Sequence, residues 1–250
     1  MSDALAPKGV GGAAEVDAEL HSMLDRAEEL VVQLEEECRL CLQSQKVSAR
    51  ARNITHEVLG KLRSSLDQAM TRAWDNFVSP HLSEGERRRA RVYFPISADL
   101  HSFRSTLGRG CMTQLASSHP DLYQFLLSKQ PFTSQDNDWL RVLSDLAAEG
   151  KHVRLGPQKR VETSRITVSG PKGGSVSWSP SSVKFGRGVS IAGAPVDSHT
   201  QRIVPTPGVT ERLETWVAFV IEGHEVNAVG FCRDASVRTR QLIEEMAGLV

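Results

Sequence analysis

The chain has 250 residues, of which 40% are hydrophobic and 24% are charged, a composition typical of globular proteins with a substantial core. Its 30 basic and 30 acidic side chains cancel, so the molecule as a whole has no electrostatic attraction for nucleic acid or membranes. No apolar run approaches the roughly 18 residues of a membrane span, and the start of the chain lacks the basic and apolar regions of a signal peptide. We therefore expect a cytoplasmic protein, with a disordered N-terminus at residues 1–14.

Residues 15–155 are predicted to form a helical domain. Apolar residues recur every three or four positions over residues 16–42, which is the spacing of an amphipathic helix. The same spacing returns over residues 47–78, and Pro80 then ends the pattern. Two long helices joined by a short turn predict an antiparallel hairpin. Shorter helices are predicted near residues 111–128 and 136–149.

The two long helices differ in charge. Residues 15–41 contain nine acidic and two basic side chains, whereas residues 46–91 contain ten basic and five acidic ones. In an antiparallel hairpin these helices would lie side by side, so part of the basic charge would be neutralised within the molecule. This arrangement weakens any prediction that the second helix binds nucleic acid.

Residues 156–250 are predicted to form a β-rich domain that ends in a helix. Short apolar segments with strand-like alternation are separated here by Gly, Ser and Pro. These segments lie at residues 165–168, 176–178, 189–192, 213–221 and 226–231. The last two are joined by residues 222–225, which predict a hairpin turn. A helix at about 235–247 is expected to cover the resulting antiparallel sheet, so the predicted fold class is α+β.

The cysteines give little indication of metal or redox chemistry. Cys38 and Cys41 form a C-x-x-C pair, but it lies inside the first helix, and no second pair follows at zinc-binding spacing. Together with Cys111 and Cys232 they are better interpreted as reduced, partly buried thiols. We predict neither a metal site nor a cofactor.

The first candidate site lies in the second helix. Arg63 and Asp67 are four residues apart, so they share one helix face and could form a polar site. The structural alternative is an ordinary ion pair within the helix. His152, preceded by Lys151, is the best single candidate for acid–base chemistry, because the ordinary pKa of histidine is close to neutral. Its alternative is a basic cap that follows Gly150 at the end of a helix.

Several of these residues belong to an ordered set of short motifs. The set comprises Leu62-Arg63-Ser64-x-Leu66-Asp67, Phe94-Pro95-Ile96, Gln130-Pro131-Phe132 and Lys151-His152. With this set the chain resembles a broad group of uncharacterised bacterial cytosolic proteins that have a helical first half and a β-rich second half. The resemblance covers about residues 55–155 and implies no established activity. Similar sequences have histidines at the positions of Gly60 and Gln68, so this chain departs from the pattern where acid–base groups would lie.

The helical motif also resembles the Arg-x₄₋₆-His motif of HEPN ribonucleases, which are common in toxin–antitoxin and phage-defence systems. That resemblance implies that an arginine positions phosphate while a histidine handles the proton of the 2′-hydroxyl group. At the matching positions this chain has Arg63 and Gln68, and glutamine cannot exchange a proton near neutral pH. An active nuclease would therefore need another histidine, such as His152.

A basic segment gives the remaining signal. Residues 151–187 contain eight Lys and Arg residues and one acidic residue, interleaved with Trp178 and Phe185. Basic and aromatic side chains on a sheet can bind single-stranded nucleic acid. The alternative is a solvated strand face. The nucleic-acid-binding candidates are Lys151, Arg154, Lys159, Arg160, Arg165 and Trp178.

The leading hypothesis is a non-catalytic cytosolic interaction or regulatory protein, with a protein partner or a second copy bound through the helical hairpin. The resemblance implies a setting in bacterial defence or toxin–antitoxin systems. The alternative hypothesis is a protein that binds RNA or DNA, or a HEPN-like ribonuclease that uses Arg63 and His152. Catalytic candidates are limited to Arg63, Asp67 and His152, and no membrane partner is expected.

Overall fold

The computed structural model describes residues 13–44, 47–151, 158–171, 173–179, 182–221 and 223–249. The fold is α+β, as predicted. The helices are α1 (Ala13–Ser44), α2 (Ala49–Phe77), α3 (Glu84–Arg89), α4 (Leu100–Arg109), α5 (Leu115–Ser118), α6 (Pro120–Ser128), α7 (Asp138–Lys151) and α8 (Ala228–Ala247). The strands are β1 (Gln158–Ser169), β2 (Ser175–Trp178), β3 (Ser190–Ile191), β4 (Ala194–Pro195), β5 (Thr210–Ile221) and β6 (Val226–Asn227).

The predicted helical hairpin is present as α1 and α2. Ser48 starts α2, because its hydroxyl oxygen accepts a hydrogen bond from the backbone N–H of Ala51 at 2.9 Å. Apolar residues at three- and four-residue spacing form the buried stripe of each helix. Of the N-terminal segment 1–14, residues 1–12 lie outside the described residues, and Ala13 and Ala14 begin α1.

Helix α8 differs from the prediction in both its start and its neighbours. It begins at Ala228, because the side-chain oxygen of Asn227 caps it by accepting a hydrogen bond from Gly230 N–H at 2.8 Å. Its buried residues join the core that α1 and α2 form, so α8 completes a three-helix layer and does not primarily cover the sheet. The apolar composition of residues 226–231 resembles a strand, but only the first two of them pair with β5.

The carboxylates of α1 form ion pairs mainly with arginines of α8. The guanidinium of Arg240 bonds Asp25 at 2.7 Å and Glu28 at 2.9 Å. Two turns earlier on α8, Arg233 forms an ion pair with Glu35 of α1. The predicted charge neutralisation between α1 and α2 occurs between Glu37 of α1 and Arg50 of α2, whose charged groups lie 3.5 Å apart. Among the described residues, the carboxylates of α1 therefore form three ion-pair contacts with α8 and one with α2.

The main sheet is antiparallel and has the strand order β2-β1-β5-β6. Strands β1 and β5 pair along their whole length, with Ile166 opposite Leu213 and Gln158 opposite Ile221. The predicted hairpin between β5 and β6 is confirmed, since Val220 pairs with Asn227. Strands β3 and β4 form a separate two-stranded hairpin.

Two apolar clusters lie at opposite ends of the β1–β5 ribbon. Phe219 and Ile221 of β5 join the large helical core, together with residues of α1, α2, α4, α5, α6, α7 and α8. The other end packs into a smaller cluster, which we call the β core. Its buried members are Ile166, Val168, Trp178, Ala194, Val196 and Ile203.

The predicted change from helix to strand near residue 155 falls within residues 152–157, outside the described residues. Among the helices that the structure describes, none is long and apolar enough to cross a membrane.

Candidate functional site

Helix α2 holds Arg63 and Asp67 together, as their spacing predicts. The Nη2 atom of Arg63 donates to Oδ1 of Asp67 at 2.7 Å. Both side chains are mostly covered, with 17% of Arg63 and 25% of Asp67 exposed. The pair faces the connecting segment between α3 and α4, so it is not an isolated surface ion pair within one helix.

Both charged groups bind the backbone of a single residue in that segment. The backbone N–H of Phe94 donates to Oδ1 of Asp67 at 2.9 Å, and its carbonyl oxygen accepts from Nη2 of Arg63 at 3.0 Å. The Phe94 ring is 1% exposed and packs in the helical core. The α2 pair therefore satisfies the backbone of Phe94 at the point where its ring enters the core.

Gln130, at the end of α6, holds the next part of the same segment. Its Nε2 group donates to the carbonyl oxygens of Pro95 at 2.9 Å and Leu126 at 2.8 Å. Its Oε1 atom accepts from the backbone N–H of Ser97 at 3.0 Å. The side chain is fully buried and uses both donors and its acceptor. We call Arg63, Asp67 and Gln130 the clamp, because together they fix residues 94–97.

The clamp places three of the four sequence motifs in one arrangement. Gln130 is the functional residue that sequence reasoning did not assign to a site. Two of its three hydrogen bonds reach backbone groups 33 and 35 positions earlier in the chain. No local sequence pattern predicts contacts between such distant positions.

The electrostatics of Arg63 follow from its position. Burial lowers the pKa of the guanidinium, while the Asp67 carboxylate and the nearby Tyr93 oppose that shift. Its Nη1 atom is buried and has no hydrogen-bond partner among the described residues. Arginine stays protonated at neutral pH under such conditions, so Arg63 acts as a fixed cation and exchanges no proton.

The second half of the predicted catalytic set cannot be placed beside Arg63. His152 lies outside the described residues, and only the backbone of Lys151 is described. Helix α7 extends to Lys151, two residues beyond the predicted end at about 149. The structure thus brings together Arg63 and Asp67 and says nothing of a third member.

The basic segment requires a correction at its aromatic residue. Trp178 is 6% exposed and packs in the β core, with its ring 5.1 Å from that of Phe185 in an edge-on contact. It is therefore not available to stack on a base. Arg165 is exposed, whereas only the backbone of Lys159 and Arg160 is described and Arg154 lies outside the described residues.

A separate open cleft of about 500 Å³ lies between α1, α2 and α7. Gly60 and Lys61 line it, and a Cβ atom added at Gly60 would meet no atom within 4 Å. Because glycine has no side chain, this part of the cleft is left unfilled. His56 and Glu57 also line the cleft, one turn earlier on α2.

Within the described part of the chain, no group of three or more His, Cys, Asp or Glu side chains is placed to hold a metal ion. Comparisons with protein-family models, curated proteins and solved structures gave no match.

Proposed function

We propose that this protein is a non-catalytic interaction protein whose motif residues stabilise the fold and whose outer surfaces bind a partner. The clamp carries this proposal. Its three polar side chains, Arg63, Asp67 and Gln130, lie in the sequence motifs, and all three bind backbone groups of the same molecule.

A catalytic assignment would need these groups to reach a substrate. A general acid or base must lie within hydrogen-bond distance of the proton it transfers. Oδ1 of Asp67 already accepts from Arg63 and from Phe94 N–H, and Nη2 of Arg63 already donates twice. Opening the site would release Phe94 from the core, so a substrate would compete with the fold itself.

A cytosolic bacterial setting, as a regulatory partner in a defence or toxin–antitoxin system, is the part of the proposal that rests on the sequence resemblance. A protein partner or a second copy would dock on the outer surface of α1 and α8. Val32 is 66% exposed and Val237 is 50% exposed there. Each lies between the residues that form the α1–α8 ion pairs, so the two valines share one surface.

Ribonuclease assays test the absence of catalysis. End-labelled single-stranded and duplex RNA would be incubated with the purified protein in Mg²⁺, in Mn²⁺ and in EDTA, and products resolved on denaturing gels. We expect no cleavage above that of a mock preparation. Turnover by the wild type that disappears in Arg63→Lys or His152→Ala, with the circular dichroism spectrum unchanged, would overturn the proposal in favour of a HEPN-like ribonuclease.

The docking surface is tested by light scattering coupled to gel filtration at several protein concentrations. A second copy on this surface predicts a dimer that dissociates in the Val32→Glu, Val237→Glu double variant. The matched control is Val176→Glu, which changes an exposed valine of β2. A wild-type monomer at all concentrations would exclude self-association and leave a protein partner as the occupant.

A further inference from the structure

An exposed basic surface begins just before the clamped segment in the chain. Four arginines follow one another closely at the end of α3, and a fifth closes α4. We call this set the arginine surface: Arg87, Arg88, Arg89, Arg91 and Arg109, all exposed. The backbone N–H of Arg91 donates to the carbonyl oxygen of Arg109 at 2.8 Å, which places the two parts of the set side by side.

Most of this positive charge has no acidic partner. Arg88 pairs with Glu84, and both side chains are about three-quarters exposed, so this bond is weak. Glu86 is engaged by Ser83, whose N–H donates to it at 2.9 Å and whose hydroxyl donates at 2.6 Å. The hydrogen bonds from Ser83 lower the pKa of Glu86, and the nearby charge of Arg89 lowers it further. No ion pair within 4 Å joins Arg87, Arg89, Arg91 or Arg109 to a carboxylate of the described residues.

The formal net charge of the whole chain is zero, so this surface differs from the rest of the molecule by a local excess of positive charge. Arg233 and Arg240 of α8 are bound to carboxylates of α1. Among the described residues, the guanidinium of Arg91 donates to the carbonyl oxygen of Ala90 at 3.3 Å, and that of Arg109 donates to the hydroxyl of Thr106 at 2.9 Å. The arginine surface therefore keeps a positive electrostatic potential that attracts an external anion.

An aromatic ring accompanies these charges. Tyr93 is 51% exposed and lies two residues after Arg91 and immediately before the clamped Phe94. Since Asp67 and Arg63 fix the backbone of Phe94, the position of Tyr93 is fixed as well. An exposed tyrosine that adjoins a held backbone and lies close in the chain to exposed arginines can bind unpaired bases by stacking while the arginines bind phosphates by charge.

We propose that the arginine surface and Tyr93 bind single-stranded nucleic acid. The guanidinium groups bind phosphate oxygens with paired N–H donors, and the tyrosine ring stacks on an unpaired base. This inference rests on the proposed function in one respect, namely that the bound strand is not cleaved. The site is distinct from the basic segment 151–187 that the sequence suggests.

Fluorescence anisotropy with labelled 12-nucleotide oligo-U and oligo-A measures the binding of the full chain. Four unpaired arginines predict that the logarithm of the association constant falls with the logarithm of salt concentration at a slope of about −3. The Arg87→Gln, Arg89→Gln, Arg91→Gln triple variant should bind at least about tenfold more weakly at low salt, with the slope reduced by about 2.

The matched control carries the same loss of charge in the basic segment: Arg165→Gln, Lys184→Gln and Arg187→Gln, all at exposed positions. It should keep the wild-type affinity within about threefold. Tyr93→Ala should weaken binding to single strands by about tenfold, whereas Tyr93→Phe should not, because the ring and not the hydroxyl stacks.

Three results would overturn this inference. They are no binding at 50 mM salt, an equal loss of affinity in the triple variant and its control, or arginine-dependent binding to poly-glutamate or anionic vesicles in place of oligonucleotides. Cleavage of the bound strand is a different outcome. It would contradict the non-catalytic proposal and leave the binding surface in place.

Discussion

Trp74 and Trp178 are buried to nearly the same extent, with 8% and 6% of each residue exposed, yet their surroundings differ. Trp74 lies in the helical core, and its indole N–H donates to the carbonyl oxygen of Gly110 at 2.7 Å. Trp178 lies in the β core, and its indole N–H has no hydrogen-bond partner among the described residues. A buried N–H without a partner lowers the free energy of unfolding by roughly 1–3 kcal/mol.

The same contrast extends to the size of the two cores. The helical core collects residues from seven helices and one end of β5, and the clamp satisfies the buried N–H of Ser97 and the carbonyl oxygen of Pro95 beside it. The β core has six buried members and depends on one large side chain. Local stability follows the number of buried contacts, so we infer that the β core opens before the helical core does.

The largest expected effect separates the two cores. Trp178→Ala removes the largest side chain of the β core and should cost about 4 kcal/mol locally, which a six-residue core cannot absorb. Hydrogen exchange followed by mass spectrometry should show loss of protection in β2 and in residues 166–169 of β1, with α1 and α2 unchanged. Equal loss of protection in α1 would show that the two cores unfold as one unit. Trp178→Phe, which keeps a ring and removes the unpaired N–H, is the control and should cost less than about 1.5 kcal/mol.

The next effect concerns the helical core. Gln130→Ala leaves the buried N–H of Ser97 and the carbonyl oxygens of Pro95 and Leu126 without the partner that holds them. We expect the free energy of unfolding to fall by about 3 kcal/mol, as measured by urea denaturation. The exposed Gln124 lies on α6, the helix that precedes Gln130, and Gln124→Ala should change this value by less than about 0.5 kcal/mol. Similar values for the two variants would refute the clamp.

A smaller loss is expected at the charged end of the clamp. Asp67→Asn keeps an oxygen that can accept from Phe94 N–H, but it removes the counter-charge of the buried Arg63. The expected cost is about 2 kcal/mol in the same urea titration. Asp234→Asn, an exposed aspartate of α8, serves as the control and should be near neutral. An Asp67→Asn variant as stable as the wild type would instead show that the fold does not need the Arg63–Asp67 ion pair.

Local periodicity explains what the sequence could predict. The three- and four-residue spacing of apolar side chains in α1 and α2 reflects burial along one helix face, so both helices were predictable to within a few residues. The hairpin of β5 and β6 was also predictable, because its turn and its strands are adjacent in the chain. The start of α8 was not, since the apolar residues after Asn227 suit either a strand or a buried helix face.

The clamp and the β core depend on contacts between distant parts of the chain. The charges around Trp178 in the sequence predicted exposure, whereas Ala194, Val196 and Ile203 cover it in the folded chain. The arginine run at 87–89 was visible in the sequence as charge. That Arg87, Arg89 and Arg91 form no ion pair among the described residues, and that Arg91 contacts Arg109, required the structure.

The smallest expected effect concerns the chemical reactivity of the cysteines. Three of the four are buried in the helical core, and none lies in the β core, so their reactivity reports on the helical core. Burial raises the pKa of Cys38 and that of Cys232 to about 12, with a contribution at Cys38 from the nearby Cys41 and Glu37. At pH 8 both thiols are therefore protonated and enclosed, and iodoacetamide should modify Cys111, which is partly exposed, first.

Mass spectrometry of alkylated tryptic peptides gives the rate at each cysteine. In Gln130→Ala the rates at Cys38 and Cys232 should rise, because the helical core opens more often, whereas in Trp178→Ala they should stay at the wild-type value. An increase in both variants would show coupled cores. The pKa shifts also have a sign for stability: the folded protein holds these protons above pH 9, where the unfolded chain releases them, so the free energy of unfolding should fall as the pH rises from about 9 towards 12.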